Sequence, residues 1–488
     1  MRVVLRADAS AAAGSGHVMR SLALAEALRV AGHRPHLASV NLPDPFRARA
    51  SSLGVPVVDL DAGTDPQGVA AIAHDAGWVV LDGYDFDARH VMAARDAGAR
   101  TLVVDDHAAW AAYHSNVVVN TNVGATRAAY AGRVHGARLL VGPRFGLLRS
   151  EFARFADWSR AIPAVAATCL VTFGGTDPAR ATERVVAALA GLPIRVVALV
   201  GPANPRADEI GRAGADEVVR DPPDVPELMA SADLVATAAS STTLELAFMQ
   251  APMLAAVTAD NQAPIAPALA AAGIAVDLGP IGTLEPARLR SEVERLAADA
   301  GRRARMAESG RRLVDGRGAL RVVRAMEVAG VRLRPAAMGD ADRLLAWAND
   351  VATRAASFST APITRPEHLA WMARTLADPD RHLHFIAEDG EPVGQVRFRR
   401  ESAEEAVISV AVAPGARGQG YAPAIIDAGG QAAFDRWPVL RIRAEIRGDN
   451  AASRAAFAEA GFGAMQKMVE PDGAVAMWID RIGEGEGQ

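Results

Sequence analysis

Short runs of β-branched and aliphatic residues alternate with Ala/Leu-rich helical stretches from the start of the chain. "RVVLRA" precedes "SLALAEALRVAG", and "PHLASV", "WVVLDGY", "TLVVDD" and "NVVVNT" follow. Strands buried on both faces read as continuous apolar runs, and parallel neighbours need a crossover helix between them. The alternation therefore predicts a doubly wound α/β domain over residues 1–150. The rhythm restarts at Thr168 with "TCLVTFGGTDPARATERVVAAL", then "IRVVALVGPAN", "ADLVATAA", "PMLAAVTADN" and "IAVDLG". A second Rossmann-like domain is expected over 151–328. Beyond it the pattern changes: "HLHFIAEDGEPVGQVRFRR" reads as a hairpin, "EAVISVAVAP" as a strand, and "GARGQGYAPAIIDAGGQAAF" as a Gly-rich loop opening a helix. This predicts an α+β domain over 329–482, and 488 residues suit three domains.

A net charge of −5 spread over such a chain leaves no basic surface for a polyanion, so no nucleic-acid partner is expected. No apolar stretch approaches the ~18 residues of a membrane span, and "MRVVLRADAS" lacks a signal-peptide pattern. A cytoplasmic protein without a membrane partner is the expectation. The single cysteine, Cys169, lies in "ATCLVTF" and reads as a buried strand residue in a reducing compartment. Nothing in the composition sets an oligomeric state.

In "AGSGHVMR" (13–20) a glycine loop with Gly14 and Gly16 becomes a helix at His17. A helix N-terminus carries about half a positive charge and several unpaired N–H groups, which favour an anion and disfavour imidazolium. A neutral, exposed His17 is then a usable general base. On these residues alone, a plain turn with an incidental histidine is the commoner reading.

The wider stretch "RADASAAAGSGHVMRSLALAEAL" resembles the opening of the nucleotide-sugar hydrolases of pseudaminic acid biosynthesis, which release UDP from a 2,4-diacetamido-2,4,6-trideoxy-β-L-altropyranose. Further motifs match in order: "LDGYDFD" (81–87), "VVDD" (103–106), "VGPRFGLLRSEF" (141–152), "VTFGGTDP" (171–178), "SSTTLELAF" (240–248) and "ADNQ" (259–262). The resemblance spans about residues 1–325. It implies two Rossmann-like domains in a GT-B-like arrangement, with His17 as general base for water attacking the anomeric carbon, with inversion and no metal. It places Tyr84 and Asn261 on the sugar or the water. It also places Gly174, Gly175 and Thr176 on the diphosphate, Ser241 and Thr242 beside the nucleotide, and Glu245 on the ribose hydroxyls. Asp8 and Asp82 are expected either to orient His17 or bind substrate, or to cap strand ends. Where the family usually has glycines before the Ser-Thr-Thr, this chain has Ala239 and Ser240, which are expected to hinder close backbone approach to the nucleotide.

The stretch Arg417-Gly-Gln-Gly-Tyr-Ala422 follows an apolar strand and opens a helix, a loop whose successive N–H groups suit a diphosphate. With "IRAEIRGDNAASRAAFAEAGF" downstream, it resembles GNAT N-acetyltransferases, which use acetyl-CoA as cosubstrate. The resemblance implies cofactor contacts from Val410, Val412, Arg417, Gly418, Gln419, Gly420, Tyr421, Ala422 and Asn450. Phe457 stands where the family often has a tyrosine acid for the departing thiolate, and a phenyl ring donates no proton. "RLRPAAMGDADRLLAWAND" resembles acetyltransferases of amino-sugar nucleotides, with Trp347 and Asn349 on the substrate side, or Trp347 in the core.

The two resemblances together imply two consecutive steps on one chain: N-acetylation of the 4-amino group of a UDP-amino sugar, then hydrolysis of the UDP-linked diamino sugar. The competing readings are a GT-B glycosyltransferase fused to an acetyltransferase, and a non-catalytic nucleotide-sugar-binding protein. A third keeps both activities on another diamino sugar.

Overall fold

The computed structural model describes residues 1–9, 14–60, 66–134, 136–175, 177, 179–201, 204–222, 224–467 and 474–480. The chain forms two compact units, Met1–Val323 and Arg324–Gln488.

The first unit holds two parallel sheets. The strands of one are β1 (Arg2–Ala7), β2 (Arg34–Ser39), β3 (Val57–Asp59), β4 (Trp78–Asp82), β5 (Arg100–Val104), β6 (Val117–Asn120) and β7 (Arg138–Val141), ordered β3-β2-β1-β4-β5-β6-β7. The other has β8 (Thr168–Thr172), β9 (Arg195–Val200), β10 (Glu217–Arg220), β11 (Leu234–Ala238), β12 (Met253–Val257) and β13 (Ala275–Pro280), ordered β10-β9-β8-β11-β12-β13. Both follow the Rossmann order, so the two expected Rossmann-like folds are present. The apolar runs are central because helices cover both sheet faces. Val3, Val4 and Leu5 of β1 are fully buried, each contributing about 1.5–3 kcal/mol of hydrophobic stabilisation.

In each sheet the strand order reverses where the first strand meets the fourth, β1 beside β4 and β8 beside β11. The crevice outside the carboxyl ends at such a switch point is where open α/β sheets take ligands. Register pairs Ala7 with Asp82 there, so the loop after β1 and the end of β4 are neighbours. Cys169 is fully buried in β8, and burial pushes its thiol up to about 12, which keeps it an unreactive packing residue.

The second unit is α+β. Its strands β14 (Arg332–Pro335), β15 (His382–Asp389), β16 (Glu391–Arg400), β17 (Glu405–Val412), β18 (Arg441–Arg447), β19 (Gly463–Lys467) and β20 (Ala474–Asp480) run β14-β15-β16-β17-β18-β20-β19. All neighbours are antiparallel except β17 and β18. One face packs Val396, Phe398 and Ile408 with Ile425 and Ile426 of the helix Tyr421–Arg436. Ile386 on the other face packs with Leu344 and with Met372 of the helix Arg365–Ala377. Among the described residues no helix is long and apolar enough to cross a membrane.

Candidate functional site

The helix Gly16–Val30 starts directly after the glycine loop, with Ser15 as an N-cap whose side chain makes no capping bond. His17 is its second residue. The expected exposed imidazole is not observed: His17 is only 6% exposed. Its Nδ1 lies 2.7 Å from Asp82 Oδ1 at the end of β4. Arg20, one turn along the helix face, donates from Nε to Asp82 Oδ2 (2.7 Å) and from Nη2 to Oδ1 (2.6 Å). It also reaches both oxygens of Asp106, at 2.9 and 3.0 Å.

A carboxylate at 2.7 Å from an unprotonated ring nitrogen would set lone pair against lone pair, so Nδ1 carries the hydrogen and Nε2 the free pair. Arg20 Nη2 is also 3.1 Å from Nδ1, the longer and weaker of the two contacts. Among the described residues no hydrogen bond reaches Nε2. The buried histidine thus keeps one basic edge. A carboxylate, rather than the helix terminus alone, sets its orientation.

Burial opposes the charges in this cluster, and the Arg20 guanidinium outweighs it. Asp106 is held down at about 2 and Asp82 is lowered as well, while Arg20 is raised. Tyr84 lies edge-on to the imidazole, ring centres 4.6 Å apart. Its hydroxyl donates to Asp106 Oδ2 (3.2 Å) and accepts from Asn261 Nδ2 (2.8 Å). Half of the Tyr84 surface is exposed, but desolvation of the hydroxyl end, with Asp106 adding to it, pushes its pKa up to about 12. His17, Tyr84 and Asn261 are therefore one cluster, with Asn261 supplied by the loop after β12.

The loops after β1, β8 and β11 approach one another. A methyl on Gly175 would lie 2.8 Å from Ser15 Oγ, and one on Gly16 would lie 3.6 Å from Ser241 Oγ. Gly14 and Gly174 adopt left-handed backbone, φ +75° and +88°, which glycine takes without strain. Ser241 is the N-cap of the helix Thr242–Phe248, with Thr242 its first residue. Thr176 lies outside the described residues.

At the start of the helix after "FGGTDP", Asp177 accepts from Ala181 N and Thr182 N, both at 2.9 Å, so those two N–H groups are bonded within the protein. The Gly174–Gly175 backbone is what remains for an anion. Glu245 is held by Arg149, which donates to both of its oxygens at 2.8 and 3.1 Å, each oxygen keeping a further lone pair. Asp8 does not join His17: its Oδ1 accepts from Arg6 (2.6 Å), Ser39 Oγ (3.0 Å) and Val40 N (2.8 Å). Ala239 is buried and neither it nor Ser240 is among the residues with positive φ.

In the second unit, β17 pairs with β18 only from Glu405↔Arg441 to Ile408↔Ala444, and beyond that the strands part. Ala413 N donates to Val393 O (2.8 Å), which fixes the antiparallel alternation along β16: residues 409, 411 and 413 bond that strand. The backbone groups of Val410 and Val412 therefore face the gap. Gly418 and Gly420 have φ of +78° and +86°, and Gly420 caps the helix Tyr421–Arg436, on which Tyr421 and Ala422 are the first residues.

Several side chains expected at this site bond within the protein. Arg417 pairs with Asp350 (2.6 Å) and Thr353 Oγ1 (2.8 Å), Gln419 donates to Gly415 O (2.9 Å), and Tyr421 donates to Asp389 (3.1 Å). Asn450 Oδ1 caps its own helix through Ser453 N (3.0 Å). Asn349 is corrected from a substrate position: its amide exchanges two hydrogen bonds with Ile363. Trp347 packs into the core. Phe457 is buried against Phe462 and has no proton to give.

Residues 331–463 match the acetyltransferase (GNAT) domain family. The C-terminal unit carries a GNAT acetyltransferase domain. The strand parting at β17 and the Gly-rich loop lie within the matched residues. The chain is similar to the uncharacterized protein MJ1062 of Methanocaldococcus jannaschii, 22% identical over 268 residues, or 52% of this chain. The chain spans about half the length of that relative, 55%. Among solved structures, Acinetobacter baumannii MurG aligns over 67% of this chain and 99% of its own, with 16% identity and a TM-score of 0.47. A spermidine N-acetyltransferase from Vibrio cholerae, solved with CoA and spermine, aligns over 31% of this chain and 96% of its own. The identity is 20% and the TM-score 0.29.

Sequence reasoning missed Arg20, Asp106 and Arg149. The signal for Arg20 was the three-residue spacing from His17, which puts both on one helix face. Asp106 stood in the "VVDD" motif without a role.

Proposed function

We propose that the chain is a bifunctional enzyme acting on a UDP-linked amino sugar. The GNAT domain acetylates the 4-amino group with acetyl-CoA, and the first unit hydrolyses the resulting UDP-2,4-diacetamido-2,4,6-trideoxy-β-L-altropyranose to UDP and the free sugar. The observation that carries the hydrolase half is the free Nε2 edge of His17. The ring is oriented by Asp82 on its Nδ1 side and packs edge-on with Tyr84, whose hydroxyl accepts from Asn261, where loops of two Rossmann-like sheets meet.

In this reading His17 Nε2 takes a proton from water, the water oxygen bonds to the anomeric carbon, and the bond from that carbon to the UDP oxygen breaks. UDP leaves with the electron pair. Asp82 stabilises the imidazolium that forms, and backbone N–H groups of the Gly174–Gly175 loop and near Ser241 offset the charge on the diphosphate. In the GNAT domain the sugar amine attacks the thioester carbon and the carbon–sulfur bond breaks. Val410 and Val412 offer backbone groups to the pantetheine arm, and the loop 417–422 takes the cofactor diphosphate. With Phe457 in place of a tyrosine, water takes the proton released by the attacking amine and passes one to the departing thiolate.

Incubation with UDP-4-amino-4,6-dideoxy-β-L-AltNAc and acetyl-CoA, followed by mass spectrometry, tests both halves. The expected products are CoA, UDP and the free diacetamido sugar. No acetylation refutes the GNAT half. Acetylated UDP-sugar without UDP release refutes the hydrolase half, and release that needs an added alcohol identifies a glycosyltransferase. A second expectation concerns the anion loop. A methyl on Gly201 would lie 2.4 Å from Gly175 O, so Gly201→Ala displaces that loop at a cost of about 1–3 kcal/mol. UDP titration by calorimetry should show weakened affinity, and unchanged affinity would remove the loop from nucleotide binding.

A further inference from the structure

Arg397 is a part-buried cation without an anion. Its Nη2 donates to Ser409 Oγ (3.0 Å), its guanidinium carbon lies 5.0 Å from the centre of the Trp371 ring, and no carboxylate pairs with it among the described residues. Burial, and then the charge of Arg354, pull it down to about 10. The comparison with Arg160 is instructive. That guanidinium is also lowered to about 10 by burial, yet it donates to the carbonyls of Met229, Ala230, Ala232 and Met249, which explains it as a structural clamp. Arg397 has one hydroxyl. The guanidinium is half-buried and its bond to Ser409 lies at an exposed position, so its remaining N–H donors can meet an external anion.

Its position narrows the ligand. Register sets Arg397 opposite His384 on β15 and Ser409 on β17. Its strand neighbours Val396 and Phe398 pack with the helix Tyr421–Arg436, so Arg397 lies on the other sheet face, away from the helix that the loop 417–422 opens. Ser409 immediately precedes Val410, whose backbone groups face the gap between β17 and β18. The guanidinium thus stands at the gap on the face opposite the cofactor loop. Arg354 adds a second positive charge and spends its donors on the carbonyls of Ala348, Ser359 and Ala361 and on Ser357 Oγ, with no carboxylate partner among the described residues.

We propose that Arg397, reinforced by the charge of Arg354, is an anion subsite of the GNAT domain that holds the diphosphate of a nucleotide-linked amine acceptor. This rests on the acetyl-transfer reading above and makes it more specific: the acceptor is selected by its phosphates as well as its amine, and a polycationic amine is disfavoured.

The test compares the full-length protein with Arg397→Gln, using the UDP-linked 4-amino sugar and the same amino sugar without UDP. For the UDP-linked acceptor, KM should rise by about tenfold or more, the loss expected for a charge-assisted contact to phosphate. KM for acetyl-CoA and the rate on the phosphate-free sugar should stay unchanged. Equal losses on both acceptors, or a loss confined to acetyl-CoA, would overturn the proposal. Titration with inorganic pyrophosphate under saturating CoA provides a readout that needs no turnover. A change in tryptophan fluorescence is expected in the wild type and lost in both Arg397→Gln and Trp371→Phe. No change in the wild type, or one that survives in Arg397→Gln, refutes the subsite. Wild-type protein that shows the fluorescence change but acetylates neither sugar would instead refute the proposed substrate.

Discussion

His17→Asn is expected to slow UDP release from the diacetamido sugar by about 10²–10⁴-fold, the usual contribution of a positioned general base, while UDP affinity stays near that of the wild type. The asparagine amide nitrogen falls close to the position of imidazole Nδ1 and can still donate to Asp82, so the buried carboxylate keeps a partner and the loop keeps its shape. What disappears is the basic atom at Nε2. His17→Leu removes both, and should add a loss of stability to the loss of turnover. Steady-state UDP release and UDP titration separate the two effects. Near-normal release by His17→Asn would take the histidine out of the mechanism.

Arg20→Leu is expected to be the most destabilising single change in the first unit. Asp82 is fully buried and Asp106 nearly so, and both depend on this guanidinium. Removing one partner from such a cluster costs about 3–5 kcal/mol. The pH dependence has a definite sign. In the wild type Asp106 titrates at about 2, below its ordinary 3.8, so its contribution is present above 3.8 and lost as pH falls through 2. Without Arg20 burial dominates and raises both carboxyl pKa values above 3.8, so the folded variant takes up protons before the unfolded chain does. The gap in thermal midpoint between wild type and Arg20→Leu should therefore narrow from pH 7 to pH 5. A gap that is constant or widens would show that the carboxylates do not depend on Arg20.

The parallel sheets were legible because strands covered on both faces must be apolar along their whole length, and because each crossover helix carries its own pattern. The placement of His17 at a strand-to-helix loop was legible for the same local reason. Its environment was not. The aspartate that orients it is 65 residues away, and Arg20 reaches its two carboxylates across 62 and 86 residues. A reading based on the helix terminus sees only the nearest peptide dipoles, so it expected an exposed ring where a buried carboxylate contact stands. Glu245 shows the same limit, since its partner Arg149 comes from 96 residues earlier. Asp177 shows another: within "GGTDP" the glycines suggested an anion cradle, but the aspartate two residues beyond Gly175 occupies the helix N-terminus itself. In the GNAT domain, Phe457 followed from its side chain alone, whereas the isolation of Arg397 required knowing which strands flank it.

In the proposed hydrolysis His17 directs water onto the anomeric carbon of a UDP-linked sugar. Running the hydrolysis in water labelled with oxygen-18 and reading both products by mass spectrometry tests it most directly. One labelled oxygen on the released sugar, inverted configuration in the first product seen by NMR, and unlabelled UDP are expected. Label in the UDP would mean attack at phosphorus, and unlabelled sugar linked to another hydroxyl would mean transfer; either result contradicts the account.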